Sequence, residues 1–115
     1  MAFDQALADR ISDQFTSRRI GFESKCMMGG LCFMVRGKMC VGVVQNKLMI
    51  RLDPAHEAAA LRQPGCLPMD FTGRPMKGYV FVQPKGCESE SQLTAWLNLA
   101  LEFNPRARPS KKRPK

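Results

Sequence analysis

Three sets of side chains in this chain could carry chemistry. Cys26, Cys32 and Cys40 fall on closely spaced apolar runs, with Cys66 and Cys87 further on. Arg74 and Lys77 flank Pro75-Met76 in a Gly- and Pro-rich loop whose Gly73 and Gly78 N–H groups could help cradle an anion. Arg106, Arg108, Lys111, Lys112, Arg113 and Lys115 crowd the C-terminal end without an acid among them. Thiols on neighbouring strands suit redox sensing, or they are small hydrophobes in or beside a core, as free cysteine usually is. The Arg74/Lys77 pair suits a secondary anion or partner contact on a loop whose glycines and proline serve the turn itself. The terminal cations suit a solubilising end, or weak contact with nucleic acid that ignores sequence.

Other chemistry finds little support. His56 is the only histidine and sits beside Glu57 in the first turn of a short helix, where it reads as an exposed residue. No nucleophile–base–acid set accompanies it. No Cys-x-x-Cys occurs, and the Cys26-x5-Cys32 spacing is looser than a metal knuckle. No Gly-x4-Gly-Lys-Ser/Thr phosphate loop is present, and Asp70 stands without a second carboxylate beside it. The reading is of a chain with no catalytic set, no metal site and no cofactor.

The elements that hold these residues follow from periodicity. Phe3, Leu7, Ile11 and Phe15 make one stripe of a helix, capped by Asp4 and ending near Arg18-Arg19. That arginine pair suits a helix C-terminus and could also hold a phosphate. Glu23 to Met28, Leu31 to Val35, Met39 to Val44 and Lys47 to Leu52 read as four strands of an antiparallel meander, broken at Gly29-Gly30, Arg36-Gly37-Lys38 and Gln45-Asn46. Asp53-Pro54 opens a short alanine-rich helix that Pro64-Gly65 ends. Its Ala55, Ala58, Ala59 and Ala60 suit close packing on a sheet. Met69 to Phe71 and Tyr79 to Val82 are two further strands. Ser89 and Gln92 form a capping box before a last helix that runs to Phe103 and buries Trp96 and Leu97.

The order α-β-β-β-β-α-β-β-α predicts an α+β fold, one antiparallel sheet with helices packed on it. Most of the eight methionines read as core, with Met49 expected at the surface because it alternates with Lys47 and Arg51.

At 115 residues the chain is one domain, with 44% apolar and 24% charged residues, ordinary for a globular protein. No apolar run approaches the ~18 residues of a membrane span. The N-terminus lacks a secretory pattern, and an odd number of cysteines fits a reducing cytoplasm. Six of the 18 basic residues and none of the 10 acids lie from residue 104 onward, so the net +8 leaves about +2 on the preceding body. The expected organisation is a folded domain over 1–103 and a disordered basic tail over 104–115, rich in proline.

The runs Met27-Met-Gly-Gly-Leu-Cys-Phe-Met-Val-Arg-Gly-Lys-Met39, Leu48-Met-Ile-Arg-Leu52 and Pro68-Met-Asp-Phe-Thr-Gly-Arg-Pro-Met-Lys-Gly-Tyr-Val80 resemble the TfoX N-terminal domain family over about residues 3–103. The second motif, Met-x-Phe-x-Gly-Arg-Pro-Met-Lys-Gly, is the specific one. The first departs, with Cys26-Met27-Met28 where the family has Arg-Met-Phe. The resemblance implies an α+β fold of the secretion-chaperone type. It also implies kinship with bacterial competence regulators that follow this domain with a second, helical one, here expected to be absent from a stand-alone copy. The function so implied is a non-enzymatic regulatory or interaction module with a protein partner or a second copy. A thiol redox sensor or a small-anion enzyme at Arg74/Lys77 is the alternative, and weak nucleic-acid binding by the tail a further one.

Overall fold

The computed structural model describes residues 3–27, 30–68 and 78–107. The expected strand at Met69 to Phe71, the loop bearing Asp70, Arg74 and Lys77, and the tail cations from Arg108 to Lys115 lie outside the described residues.

The chain runs α1 (Gln5–Ser17), β1 (Glu23–Met27), β2 (Gly30–Val35), β3 (Lys38–Val44), β4 (Lys47–Arg51), α2 (Glu57–Leu61), β5 (Cys66–Pro68), β6 (Tyr79–Val82) and α3 (Glu90–Phe103). Short 3-10 turns at Pro54–His56, Pro84–Gly86 and Asn104–Arg106 join or close the helices. The six strands form one antiparallel sheet in the order β1-β2-β3-β4-β6-β5. The α+β architecture and the element order expected from the sequence are those observed. Just ahead of the stretch where a strand was expected, Cys66–Pro68 pairs with β6.

Local chemistry sets the ends. The Asp4 carboxylate accepts the Leu7 N–H at the start of α1, and Asp53 accepts the Ala55 N–H ahead of α2. Ser89 and Gln92 complete a reciprocal capping box on α3. The β2–β3 turn has two residues, Arg36 and Gly37, both at positive φ, with Val35 paired to Lys38. Lys38 is therefore in the strand, not in the turn. Gly30 is required by close approach, since a β-carbon there would lie 2.1 Å from the Val43 carbonyl oxygen.

The helices pack on one face of the sheet. Leu7, Ile11 and Phe15 of α1 and Leu93, Trp96, Leu97 and Ala100 of α3 meet Phe33, Val41, Val43, Leu48, Ile50 and Val80. Trp96 is 5% exposed, and its ring N–H donates to the Gly86 carbonyl at 3.0 Å. Of the three α2 alanines only Ala60 is buried; Ala58 and Ala59, like Ala55 in the preceding 3-10 turn, are exposed because so short a helix presents a single narrow stripe to the sheet.

The other face holds a second apolar cluster of Cys32, Met34, Met39, Val44, Met49 and Phe81, with Tyr79 packed against it. Met49 is 1% exposed, which corrects its expected place at the surface. Alternation with Lys47 and Arg51 put it on the right face, but that face is apolar. Lys47 and Arg51 flank it, with their cations over the rings of Phe81 and Tyr79.

The ordered fold continues past Phe103. Asn104 and Ala107 are buried, Asn104 Nδ2 donates to the Val35 carbonyl at 3.1 Å, and Lys38 Nζ donates to the Asn104 and Pro105 carbonyls. The boundary read at residue 103 moves to at least 107. Proline at 105 starts the 3-10 turn Asn104–Arg106 rather than releasing the chain.

Candidate functional site

The thiols are not brought together on one face. Cys32 pairs across to Gly42 and belongs to the second cluster, whereas Cys40 belongs to the helix-covered core. A β-bulge beside Phe33 and Met34 gives β3 an extra residue there, so Cys40 and Val41 both join that core. The sheet backbone thus separates Cys32 from Cys40. Cys26 pairs with Leu31 and is the exposed thiol of the five. Burial pushes the Cys32 thiol up to about 11, with Cys26 nearby adding to the rise. Burial pushes Cys40 up to about 12 against a weaker opposing pull from Arg51. Cys66 is raised to about 11 by burial and then by Glu57, and burial also raises Cys87. Buried thiols held protonated are poor nucleophiles. All five cysteines are free.

The basic residues divide. Arg106 lies at the C-terminal end of the fold, bonded to Asp53 at 2.7 Å and Glu102 at 2.6 Å, so its charge is engaged within the domain. The Ala55 N–H and then Arg106 hold the Asp53 carboxyl below the usual range. His56 is exposed, as expected. Among the described residues no three or more His, Cys, Asp or Glu side chains group as metal ligands.

What the fold does assemble is a groove between α2 and α3. His56, Ala59, Ala60 and Gln63 recur at i, i+3, i+4 and i+7, and so do Gln92, Ala95, Trp96 and Leu99 on α3. The second set is one stripe of α3; the first brackets α2, with His56 in the 3-10 turn before it and Gln63 past its end. With Pro64 and Gly86 they line a depression of about 420 Å³. The alanines leave the space, the Trp96 ring forms a wall, and the glutamines and His56 supply polar groups. Gly86 is part of the construction, because a β-carbon there would meet the Pro64 carbonyl at 2.6 Å and Val82 Cγ1 at 2.7 Å. The Pro64-Gly65 turn is thereby seated against the Pro84–Gly86 turn, and the Gln83 N–H donates to the Gly65 carbonyl at 2.7 Å. Sequence reasoning placed Trp96 and Ala60 in the core but did not bring the two sets of residues together. The matched spacing was the available signal, and the partner helix was not.

Gly78, the last glycine of the long motif, is fixed where it rejoins the sheet. Its N–H donates to Glu57 Oε1 at 2.8 Å, and its carbonyl accepts the Leu52 N–H at 2.9 Å. Its φ of +84° and the Leu52 carbonyl 3.2 Å from a would-be β-carbon both call for glycine.

Among the described residues no helix is long and apolar enough to cross a membrane. The family model of the TfoX N-terminal domain matches residues 13–104. No curated protein and no solved structure matches the chain.

Proposed function

The chain belongs to the TfoX N-terminal domain family, and from that premise we propose that it is a non-enzymatic regulatory module, of the competence and transcription-regulator type, that acts by binding another protein. The α2–α3 groove is the contact. The observation that carries this reading is its make-up: small side chains leave space beside a buried tryptophan fixed by its Gly86 hydrogen bond, with amide groups among the lining residues. Such a site accepts one or two apolar anchors of a partner helix and orients them by hydrogen bonds at the edge. Five free thiols accord with a bacterial cytoplasm as its location.

The test places a photo-crosslinking residue at exposed Ala95 of the full chain in its native cells. The expected result is one predominant protein adduct that disappears when Ala59→Arg fills the groove. A fold check by thermal unfolding accompanies the variant. An adduct of twice the chain's mass assigns the groove to a second copy. An adduct that survives Ala59→Arg, or one equally strong from a crosslinker at Ser91, overturns the reading.

A further inference from the structure

A second cavity, of about 560 Å³, opens where the end of α1, the β2–β3 turn and the end of α3 converge. It shares no lining residue with the α2–α3 groove. Arg19 and Arg36 line it together with Ile20, Val35, Leu101 and Asn104. Two features of this cavity are unresolved by the protein itself.

The first is Asn104. The residue is 3% exposed, and its Nδ2 is committed to the Val35 carbonyl, yet its Oδ1 is buried without a hydrogen-bond partner. A buried carbonyl oxygen left unpaired costs free energy that a donor from outside would recover. The second is that two arginines line it. Arg18 is bonded to Gln14 and Asn98, and Lys38 already answers the carbonyls at the end of α3. Arg19 and Arg36 make no side-chain hydrogen bond or ion pair among the described residues, and no acid lines the cavity. Both sit at positive φ, 58° in each case, a conformation that arginine rarely adopts.

We propose that this cavity binds a small organic oxyanion, a phosphate monoester or a carboxylate, that also carries a neutral hydroxyl or amide N–H. Arg19 and Arg36 hold the anionic group, as paired guanidiniums do. The neutral donor bonds to Asn104 Oδ1, which is closed to solvent in the unliganded fold and must be exposed by a small shift of the Asn104 side chain. Ile20, Val35 and Leu101 accept the carbon skeleton. The site makes the domain responsive to a small molecule at a place separate from its protein contact.

The experiment uses the full, isotopically labelled chain and matched probes. 2-Hydroxyethyl phosphate and ethyl phosphate differ by the hydroxyl donor; 3-hydroxybutyrate and butyrate make the same comparison for a carboxylate. In one pair at least, the hydroxylated probe should bind about tenfold more tightly than its partner, the worth of satisfying one buried acceptor. It should also shift the Asn104 side-chain amide resonance. Arg19→Asn with Arg36→Asn removes both cations while keeping a residue that tolerates positive φ. Where that double variant fails to fold, Arg36→Asn alone at the exposed turn serves. Either should weaken both members of the responding pair about tenfold or more. Equal binding of the members within both pairs overturns the proposal. So do unchanged affinity in the arginine variants and shifts confined to residues 108–115. Duplex DNA affinity that falls in the arginine variants while the probes do not discriminate also overturns it, and assigns these cations to nucleic acid.

Discussion

The Glu57 carboxylate accepts the Gly78 N–H at 2.8 Å, joining the first residue of α2 to the last glycine of the sequence's most specific motif, 21 positions away. The bond fixes where the chain re-enters the sheet as β6. Glu57→Ala should lower stability by about 1.5–3 kcal/mol, the worth of a hydrogen bond to a charged acceptor, and Glu57→Gln, which keeps an acceptor, by less. Urea unfolding of the three proteins checks the order.

Trp96→Ala should cost about 3–5 kcal/mol, because a buried ring is removed. Trp96→Phe should fall between, since it fills much of the space but leaves the Gly86 carbonyl without its donor. A loss below ~1 kcal/mol for the alanine variant would show that the ring does not anchor the core.

The thiols predict both reactivity and a pH dependence. In the native protein a bulky thiol reagent should modify Cys26 promptly and the four buried cysteines only as the chain unfolds, when five react. Cys32 and Cys40 are raised from 9.0 to about 11 and about 12 in the folded state. Their contribution to stability is full below pH 9 and is lost as pH rises through the folded values, because only the unfolded chain then gives up the protons. Stability should fall by about 1.4 kcal/mol per pH unit for each thiol in that window. Cys40→Ala should remove one proton's share of the slope in denaturant titrations at successive pH values.

Truncation separates the fold from the basic end. A chain ending at Ala107 should unfold like the full protein. One ending at Phe103 loses the Asn104–Val35 bond and the buried Ala107, and should be destabilised by at least about 1–3 kcal/mol. Arg106 is engaged by Asp53 and Glu102, leaving five cations beyond residue 107. Any affinity for duplex DNA through them should show a log–log salt slope no steeper than about −4.5 and should vanish in the chain ending at Ala107.

The parts of the fold that were legible in the sequence are those set by neighbours in the chain. Asp4, Asp53 and the Ser89/Gln92 box act within one helical turn, and the Leu48, Ile50, Leu52 alternation acts within one strand. Met49 was misplaced because strand parity assigns a side chain to a face but does not say whether that face is covered. The Cys32/Cys40 relationship rests on a two-residue turn at Arg36 and Gly37, which pairs Val35 with Lys38, and residue types alone do not give the length of that turn. Asn104 was read as the start of a tail because proline and arginine follow it. Its anchor, the Val35 carbonyl, lies 69 positions earlier, where no local pattern reaches. The same distance hid both cavities, each of which needs two helices or a helix and a turn to meet.

The two ends of the sheet are unlike, and this limits how copies of the chain can accumulate. Among the described residues β5 offers an incoming strand three positions, the last a proline with no N–H to give, whereas β1 offers five and is exposed from Glu23 to Cys26. Growth by strand addition needs an acceptor at both ends of every copy. Two copies joined β1 to β1 would use up the open ends of both, so the pairing terminates at two and gives no fibre.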